Sequence, residues 1–411
     1  MPSTDTKILR QFIVLIAGLA VLVSFAGACQ AALQVIGIDV GQGDCTLIIS
    51  PTGKTVLIDA GDTGKGTGKV LPYLQSRGIK SLDYTIASHY HSDHVGGMDE
   101  VINALTRDSL KVAAYDRGWS YTTQAYTQYA TAVGSKRQTI TEGQVIDIGG
   151  GATLKCLALN SHGRLTPPYD NGIYDENNLS VVMLLDYGEF EMELGGDLPG
   201  KNTSSYYDIE SLVAPLVGDL DVYKVHHHGG ANASNTTWLN ATLPEVAMIY
   251  CGNGNSYGHP TQAVIDRLVA VGSYIYQTEL GTGGTIPSGK GKVVSGNIVI
   301  TVDGGTYNVN GDVYSLGMAS VPRARGPVFL TIYPNPFSSE ATMRFNVAEP
   351  GPVAVNIFDV QGRLVNSFQT LGANSYTWDG TSLDKREVPS GVYFVRISGP
   401  SQTMSEKLVK R

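Results

Sequence analysis

Between a strand-like run and a helical pattern, this chain contains the segment Ser88-His89-Tyr90-His91-Ser92-Asp93-His94-Val95-Gly96-Gly97. The side chains of this segment project from a loop that is held at both ends. His89 and His91 are two positions apart and can point at one metal ion. Asp93 and His94 are adjacent and can turn towards a second ion, because imidazole and carboxylate are the usual ligands of zinc and manganese.

Seven of the eight histidines fall in three clusters, of which this segment is the first. The second is the triplet His226-His227-His228, which follows a strand-like run, and the third is His259 in Asn255-Ser256-Tyr257-Gly258-His259-Pro260. Asp197 follows another apolar run and adds a carboxylate, although an aspartate there is also common as a turn residue or helix cap. The concentration of histidines favours one shared metal site over scattered surface residues.

The pattern H-x-H-x-D-H over residues 89–94 resembles the signature of the metallo-β-lactamase superfamily. Four further motifs are similar to its ComEC-type branch, whose soluble domain is a nuclease attached to a membrane channel: Asp39-Val40-Gly41-Gln42-Gly43-Asp44, Leu57-Ile58-Asp59-Ala60-Gly61, Lys224-Val225-His226-His227-His228-Gly229 and Asn255-Ser256-Tyr257-Gly258-His259-Pro260. The resemblance covers residues 33–302. It implies an α/β fold, the metallo-β-lactamase αββα sandwich.

The resemblance implies a binuclear site with two divalent metal ions, zinc or manganese, which would activate a water molecule for attack on phosphorus. The expected metal ligands are His89 and His91 for the first ion, Asp93 and His94 for the second, Asp197 as the bridge and His228 as the last ligand, with His227 as second choice. The expected catalytic residues are Asp93, His227, His259 and Asp59. Either histidine, His227 or His259, would protonate the leaving oxygen or contact a phosphate, and Asp59 would orient a ligand.

Three features depart from that branch. The channel-forming membrane helices are not seen in the sequence, so DNA import is not implied. ComEC-type sequences commonly carry aspartate where this chain has His91. The third metal-binding histidine of the wider superfamily has no counterpart before Asp197, and Asp175-Glu176-Asn177-Asn178 occupies that region instead.

Residues 1–31 are expected to be a signal peptide. Lys7 and Arg10 precede an apolar stretch from Phe12 to Phe25, and small residues follow it. This stretch is shorter than the ~20 apolar residues of a membrane-spanning helix, so no stable membrane span is expected after cleavage. An uncleaved anchor, or a lipid on Cys29, remains an alternative.

Glycine and proline over residues 303–327 predict a linker, and short strands with turn signals after it predict a small all-β, immunoglobulin-like sandwich over residues 328–411. Tyr333-Pro334-Asn335-Pro336-Phe337 and two later segments, 355–363 and 389–396, resemble a type IX secretion sorting domain. The resemblance implies the type IX secretion machinery as a partner and a secreted or surface-attached protein. A carbohydrate-binding or adhesive module is the alternative.

The expected function is a secreted metal-dependent hydrolase, most simply a phosphodiesterase or nuclease that acts on extracellular nucleic acid. The net charge of −8 excludes a broadly basic nucleic-acid-binding surface, so such contacts would be local. Because this scaffold supports many reactions, two alternatives stay open. One is an esterase on another substrate, such as a phosphorylcholine esterase or a lactonase, and the other is a catalytically silent surface-binding protein.

Overall fold

The computed structural model describes residues 31–105, 110–165, 174–316, 329–333, 335–346, 352–371, 375–399 and 403–411. The predicted signal peptide, apart from its last residue, lies outside the described residues, as does Cys29. Within the described ranges, no helix combines the length and the apolar character needed to cross a bilayer.

In the first part of the chain, short strands alternate with helices. The strands are β1 (Leu33–Gly37), β2 (Thr46–Ile49), β3 (Thr55–Ile58), β4 (Leu82–Ile86), β5 (Leu110–Asp116), β6 (Arg137–Thr139), β7 (Val145–Gly149), β8 (Ala152–Ala158), β9 (Val182–Tyr187), β10 (Phe190–Leu194), β11 (Val222–Lys224), β12 (Val246–Ile249), β13 (Tyr274–Gln277), β14 (Gly291–Val293), β15 (Ile298–Asp303), β16 (Thr306–Val309) and β17 (Asp312–Ser315). The α-helices are α1 (Leu71–Ser76), α2 (Ser92–Val95), α3 (Met98–Ala104), α4 (Gln124–Val133), α5 (Glu210–Val217), α6 (Thr236–Thr242) and α7 (Gln262–Ala270).

These strands form two mixed sheets. The strand order is β17-β16-β15-β1-β2-β3-β4-β5-β6 in the first sheet and β14-β13-β12-β11-β10-β9-β8-β7 in the second. In each sheet one half is antiparallel and the other half, β3 to β6 or β10 to β14, is parallel. Since parallel neighbours end at the same edge, the loops after β3 and β4, and those after β10, β11 and β12, leave their sheets together.

Three buried apolar clusters correspond to three interfaces between layers. The first joins inward residues of both sheets, for example Val35 and Ile48 with Met192 and Met248. The second packs the outer face of the first sheet against α1, α3 and α4. The third packs the outer face of the second sheet against α5, α6 and α7. The order helix, sheet, sheet, helix confirms the predicted αββα sandwich.

The predicted domain boundary at residue 302 is too early. Strands β16 and β17 extend the first sheet, because β16 pairs with β15 and β17 with β16. The dipeptides Gly304-Gly305 and Asn310-Gly311, which by composition indicate a linker, are the two-residue turns of these hairpins. Asn310 and Gly311 both have positive φ, as such a turn requires. Residues 317–327 of the predicted linker lie outside the described residues.

The C-terminal part is all-β, as predicted. Its strands are β18 (Phe329–Tyr333), β19 (Ala341–Asn346), β20 (Pro352–Asp359), β21 (Leu364–Leu371), β22 (Ser375–Trp378), β23 (Gly391–Ser398) and β24 (Thr403–Lys410). They form the sheets β18-β19-β22 and β21-β20-β23-β24. Met343 and Trp378 of one sheet share a buried core with Val355 and Val395 of the other, which is the sandwich arrangement.

Tyr307 on β16 tests whether residues beyond 302 belong to the first core. Its ring is 1% exposed within the cluster between the sheets, and its hydroxyl donates to Glu245 Oε2 at 2.7 Å. We expect Tyr307→Ala to lower the free energy of unfolding by about 3–5 kcal/mol, as loss of a buried aromatic ring does, in a chemical denaturation series. Val313→Ala on β17, at a side chain that is 68% exposed, is the matched control. Equal stability of the two variants would contradict this placement.

Candidate metal centre

Asp197, in the loop after β10, is the centre of the predicted cluster. It is 2% exposed, and four imidazole Nε2 atoms lie within 4.0 Å of its carboxylate. The distances are 3.3 Å from Oδ1 to His94, and 3.6, 3.7 and 4.0 Å from Oδ2 to His228, His227 and His89. The loops after β4, β10 and β11 therefore converge on one buried carboxylate.

Asp93 lies on the same side of this cluster as His228. Its Oδ2 is 3.2 Å from His228 Nε2 and 3.9 Å from His94 Nε2. Burial would raise the pKa of Asp93, but the neighbouring His94 and His228 hold it well below its usual range. Asp93, His94, Asp197 and His228 thus form one compact group.

His91 is the most exposed of the predicted ligands, with 31% of its side chain accessible. Its Nδ1 lies 3.1 Å from His89 Nε2, and its Nε2 lies 3.9 Å from Asp175 Oδ1. Burial, followed by the nearby His94, lowers the pKa of His89 well below its usual value, so His89 is neutral and can act as a ligand. His91 therefore lies at the accessible edge of the cluster, and the fully buried His89 lies behind it.

Sequence reasoning missed the part played by Asp44 and Lys224. Asp44, His94, Asp197 and His228 each offer one ligand atom, and these four atoms lie within 4.8 Å of one another with all four residues buried. The ammonium of Lys224 contacts Asp44 and donates to Gly196 O at 2.9 Å. Asp44 is the last residue of the motif over residues 39–44, and Lys224 is the first residue of the motif over residues 224–229. Their membership of these two motifs was the signal by which the sequence could have indicated them.

Asp59 acts on the cluster through His94. Its carboxylate accepts from the backbone N–H of Ser88 at 2.8 Å and from the Ser88 hydroxyl at 2.6 Å, and it lies 2.9 Å from His94 Nδ1. Since His94 Nε2 faces Asp197, Asp59 contacts the far side of the same ring. This geometry is that of a group that orients a ligand, as the sequence predicts for Asp59.

Within the histidine triplet, His226 points away from Asp197. It is fully buried between Glu210, at 2.7 Å from Nδ1, and Glu193, at 3.0 Å from Nε2. Burial would lower the pKa of His226, but the two carboxylates raise it to about 9. His226 therefore ties the loop after β11 to β10 and α5, while His227 and His228, both with positive φ, turn towards Asp197.

His227 and His259 lie side by side, with ring centroids 5.2 Å apart. His227 Nδ1 is 2.8 Å from Asn232 Oδ1, which can only accept, so we assign the imidazole proton to Nδ1; the unprotonated Nε2 then faces Asp197 and has Asn177 Nδ2 3.3 Å away. Burial, then the neighbouring His227 and His228, lower the pKa of His259 to about 4. Both rings are thus neutral near pH 7.

The segment that replaces the expected third histidine is anchored beside the first cluster. Glu176 accepts both guanidinium bonds of Arg117, at 2.7 and 2.8 Å, and also the backbone N–H of Tyr90 at 3.0 Å. Asn177 Nδ2 lies 3.3 Å from His227 Nε2. This buried ion pair holds the residue 175–178 segment against the loop of His89 and His91.

The residues present fit a divalent metal ion. Among the described residues, Asp44 Oδ1, Asp197 Oδ1 and His94 Nε2 are buried and make no hydrogen bond of acceptable geometry. Burial would raise the pKa of Asp197, but His228, His94 and His227 hold it well below its usual range. Buried ligand atoms left without hydrogen bonds are costly unless something else binds them, and mixed nitrogen and oxygen donors suit zinc and manganese.

Comparison with known families agrees with both resemblances. Residues 38–159 match the metallo-β-lactamase superfamily, and residues 331–411 match the secretion system C-terminal sorting domain. The second match indicates export by type IX secretion to the cell surface or the extracellular space, which confirms the predicted localisation.

The chain is also similar, over part of their length, to bacterial proteins that are named for recombination and competence. It is 30% identical over 239 residues to Recombination protein 2 of Haemophilus influenzae, covering 57% of this chain and 26% of the relative. It is 26% identical over 246 residues to Competence protein ComA of Neisseria gonorrhoeae, covering 59% and 30%. The chain thus spans less than a third of each relative. Zn²⁺-bound PqqB from Methylobacterium extorquens has a TM-score of 0.37 at 12% identity, over 62% of this chain and 98% of that one.

Substitution of Lys224 tests whether the buried carboxylates depend on a neighbouring positive charge. Lys224→Met leaves Asp44 and Asp197 without their ammonium neighbour, and we expect a loss of about 3–5 kcal/mol in the free energy of unfolding with chelator present. Added manganese should restore part of that loss, because a cation again faces the carboxylates.

The matched control is Lys111→Met. Lys111 pairs with Asp83 at 3.8 Å at the surface, where such a pair contributes about 0–1 kcal/mol. Denaturant unfolding of both variants, with chelator and with manganese, measures the difference. Equal losses, or a loss in Lys224→Met that manganese does not change, would argue against a cation-binding centre.

Proposed function

We propose that this chain, which carries a metallo-β-lactamase-fold hydrolase domain followed by a secretion sorting domain, is an exported phosphodiesterase that cleaves extracellular nucleic acid with two bound metal ions. The observation that carries this proposal is the convergence of four Nε2 atoms and two further carboxylates, Asp44 and Asp93, on the buried carboxylate of Asp197. Apolar side chains of similar volume would stabilise the fold as well as, or better than, this group of buried charges. The composition therefore indicates a functional role.

The proposed ligands divide into two sets that share Asp197. His89 and His91 would hold the first ion, and Asp93, His94 and His228 the second. His227, whose unprotonated Nε2 faces Asp197, suits a ligand for the first ion better than a proton donor. His227 would take the place of the third metal-binding histidine of the superfamily, which has no counterpart before Asp197 in this chain.

When bound, the two ions would supply Lewis acidity for attack on a phosphodiester. The chain's own groups hold the site in shape. Asp59 fixes the ring of His94, and Tyr250 O lies 3.0 Å from His228 Nδ1, so the Nε2 atoms of both rings are held towards Asp197. His259 is neutral near pH 7 and lies beside His227, so we assign it a hydrogen bond to a substrate oxygen and not the task of a charged acid.

The names of two relatives support a nucleic-acid substrate over another ester. These relatives, at 26% and 30% identity, are named for competence and recombination, and recombination acts on nucleic acid. A phosphorylcholine esterase or a lactonase on the same scaffold is the alternative that the assay below separates.

The full-length exported protein should hydrolyse single-stranded DNA, RNA and bis-nitrophenyl phosphate with manganese or zinc, and should lose this activity with chelator. We expect Asp93→Asn to lower the rate by at least about 100-fold, since even outer-shell partners of a metal ligand matter by 10- to 100-fold. Gel-based cleavage and nitrophenolate release measure the two rates.

His162→Ala is the matched control, because this histidine is outside the three clusters and pairs with Glu142 at 2.9 Å. It should keep the parent rate. Turnover of a lactone or of phosphorylcholine esters without cleavage of nucleic acid would replace the proposed substrate. Chelator-resistant cleavage, or full activity in Asp93→Asn, would remove the proposed mechanism.

A further inference from the structure

Tyr257, beside the candidate metal centre, has an exposed aromatic ring. Its surface is 69% accessible, the largest accessible fraction among the exposed large apolar side chains of the described residues. One side of the ring stacks on His259, with centroids 5.6 Å apart and planes inclined by 24°. His259 in turn contacts the rings of His227 and His228, which face Asp197. A row of rings therefore leads from the surface to the centre.

The loop that presents Tyr257 is held in place by Asn255. The side-chain amide of Asn255 donates to Gly252 O and to His259 O, both at 2.8 Å, and its Oδ1 accepts from the backbone N–H of His259 at 3.0 Å. A second loop is bonded to this one, because Thr282 N donates to His259 O at 3.0 Å. That loop carries Leu280, which is 59% exposed. These hydrogen bonds hold in place the two loops that carry the exposed apolar side chains of Tyr257 and Leu280.

A cation, the ammonium of Lys65, lies beside the loop whose Gln42 contacts His259. Gln42 Nε2 is 3.5 Å from His259 Nδ1, and Gln42 follows Gly41 in the loop before β2. A Cβ atom added to Gly41 would lie 3.5 Å from the Lys65 ammonium, so this ammonium sits beside the Gly41-Gln42 backbone. The chain around Lys65, which leads into a helical turn over residues 66–70, therefore reaches the loop before β2.

From this arrangement we propose that Tyr257 is a stacking platform for an unpaired base of single-stranded nucleic acid, with Lys65 on an adjacent phosphate. The proposal rests on the proposed function and names its substrate class. Aromatic rings stack on any base, whereas lysine contacts the backbone, and together they are what a single-stranded ligand needs. In a duplex the faces of each base are covered by stacking on the neighbouring base pairs, so a ring at the surface would find no free base face along it.

Affinity can be measured separately from cleavage. Full-length protein carrying Asp93→Asn, which prevents turnover, would be titrated into a fluorescent single-stranded oligothymidine and into the same backbone without bases, with anisotropy as the readout. We expect Tyr257→Ala to weaken binding of the oligothymidine by about 5- to 150-fold, the range for one lost base–aromatic stack. Tyr257→Phe, which keeps the ring, should bind as the parent does, and the abasic strand should not distinguish the three proteins.

Lys65→Gln should act differently. Loss of one phosphate contact should lower the slope of log affinity against log salt by about 0.7 on both strands. Phe394→Ala and Lys155→Gln, an exposed ring and an exposed lysine elsewhere in the chain, are the matched controls.

Equal affinity of Tyr257→Ala and parent for oligothymidine would overturn the platform, as would an equal loss on the abasic strand or a duplex bound as tightly as the single strand. Since Tyr257 is exposed, misfolding would not explain such results. Failure of the parent protein to cleave any phosphodiester would overturn the proposed function alone, because base-dependent binding is scored in a variant that does not turn over.

Discussion

The burial of several carboxylates in one place is the constraint on which this structure depends. Asp44, Asp59 and Asp197 are all less than 5% exposed, and an ionised carboxylate away from water is strongly unfavourable unless cations or hydrogen bonds offset it. Lys224 contacts Asp44, while Asp59 is satisfied by Ser88 and His94. Asp197 is surrounded by imidazoles and has the Lys224 ammonium at 3.9 Å, an environment that fits a bound divalent metal ion.

The fold satisfies this constraint because it brings the ends of several strands, and the loops that follow them, to one place. Parallel pairs in both sheets place the loops after β3, β4, β10 and β11 at the mouth of the sandwich, and rigid anchors keep them there. His226 between two buried glutamates fixes one loop, and the Arg117–Glu176 ion pair fixes another. The side chains of the candidate centre, most of which are buried, are thereby held in fixed positions beside a well-packed core.

Much of this could be predicted from sequence, because the spacing in residues 89–94 and the period of the strands constrain local geometry strongly. Asp44 and Lys224 were missed, since a motif-end aspartate and a strand lysine have no distinctive spacing, and their pairing joins residues 180 positions apart. The hairpins after residue 302 were missed because Gly-Gly and Asn-Gly serve both linkers and tight turns. The proposed role of His227 in place of the third histidine also depends on folding, which brings His227 Nε2 to 3.7 Å from Asp197 Oδ2.

Anomalous diffraction from crystals grown with manganese or zinc tests the central claim most directly. The account predicts two peaks on either side of the Asp197 carboxylate, one among His89, His91 and His227 and the other among Asp93, His94 and His228, each at about 2 Å from its ligand atoms. A map without peaks there, or with a single ion bound by Asp44 and Asp197 alone, would contradict it.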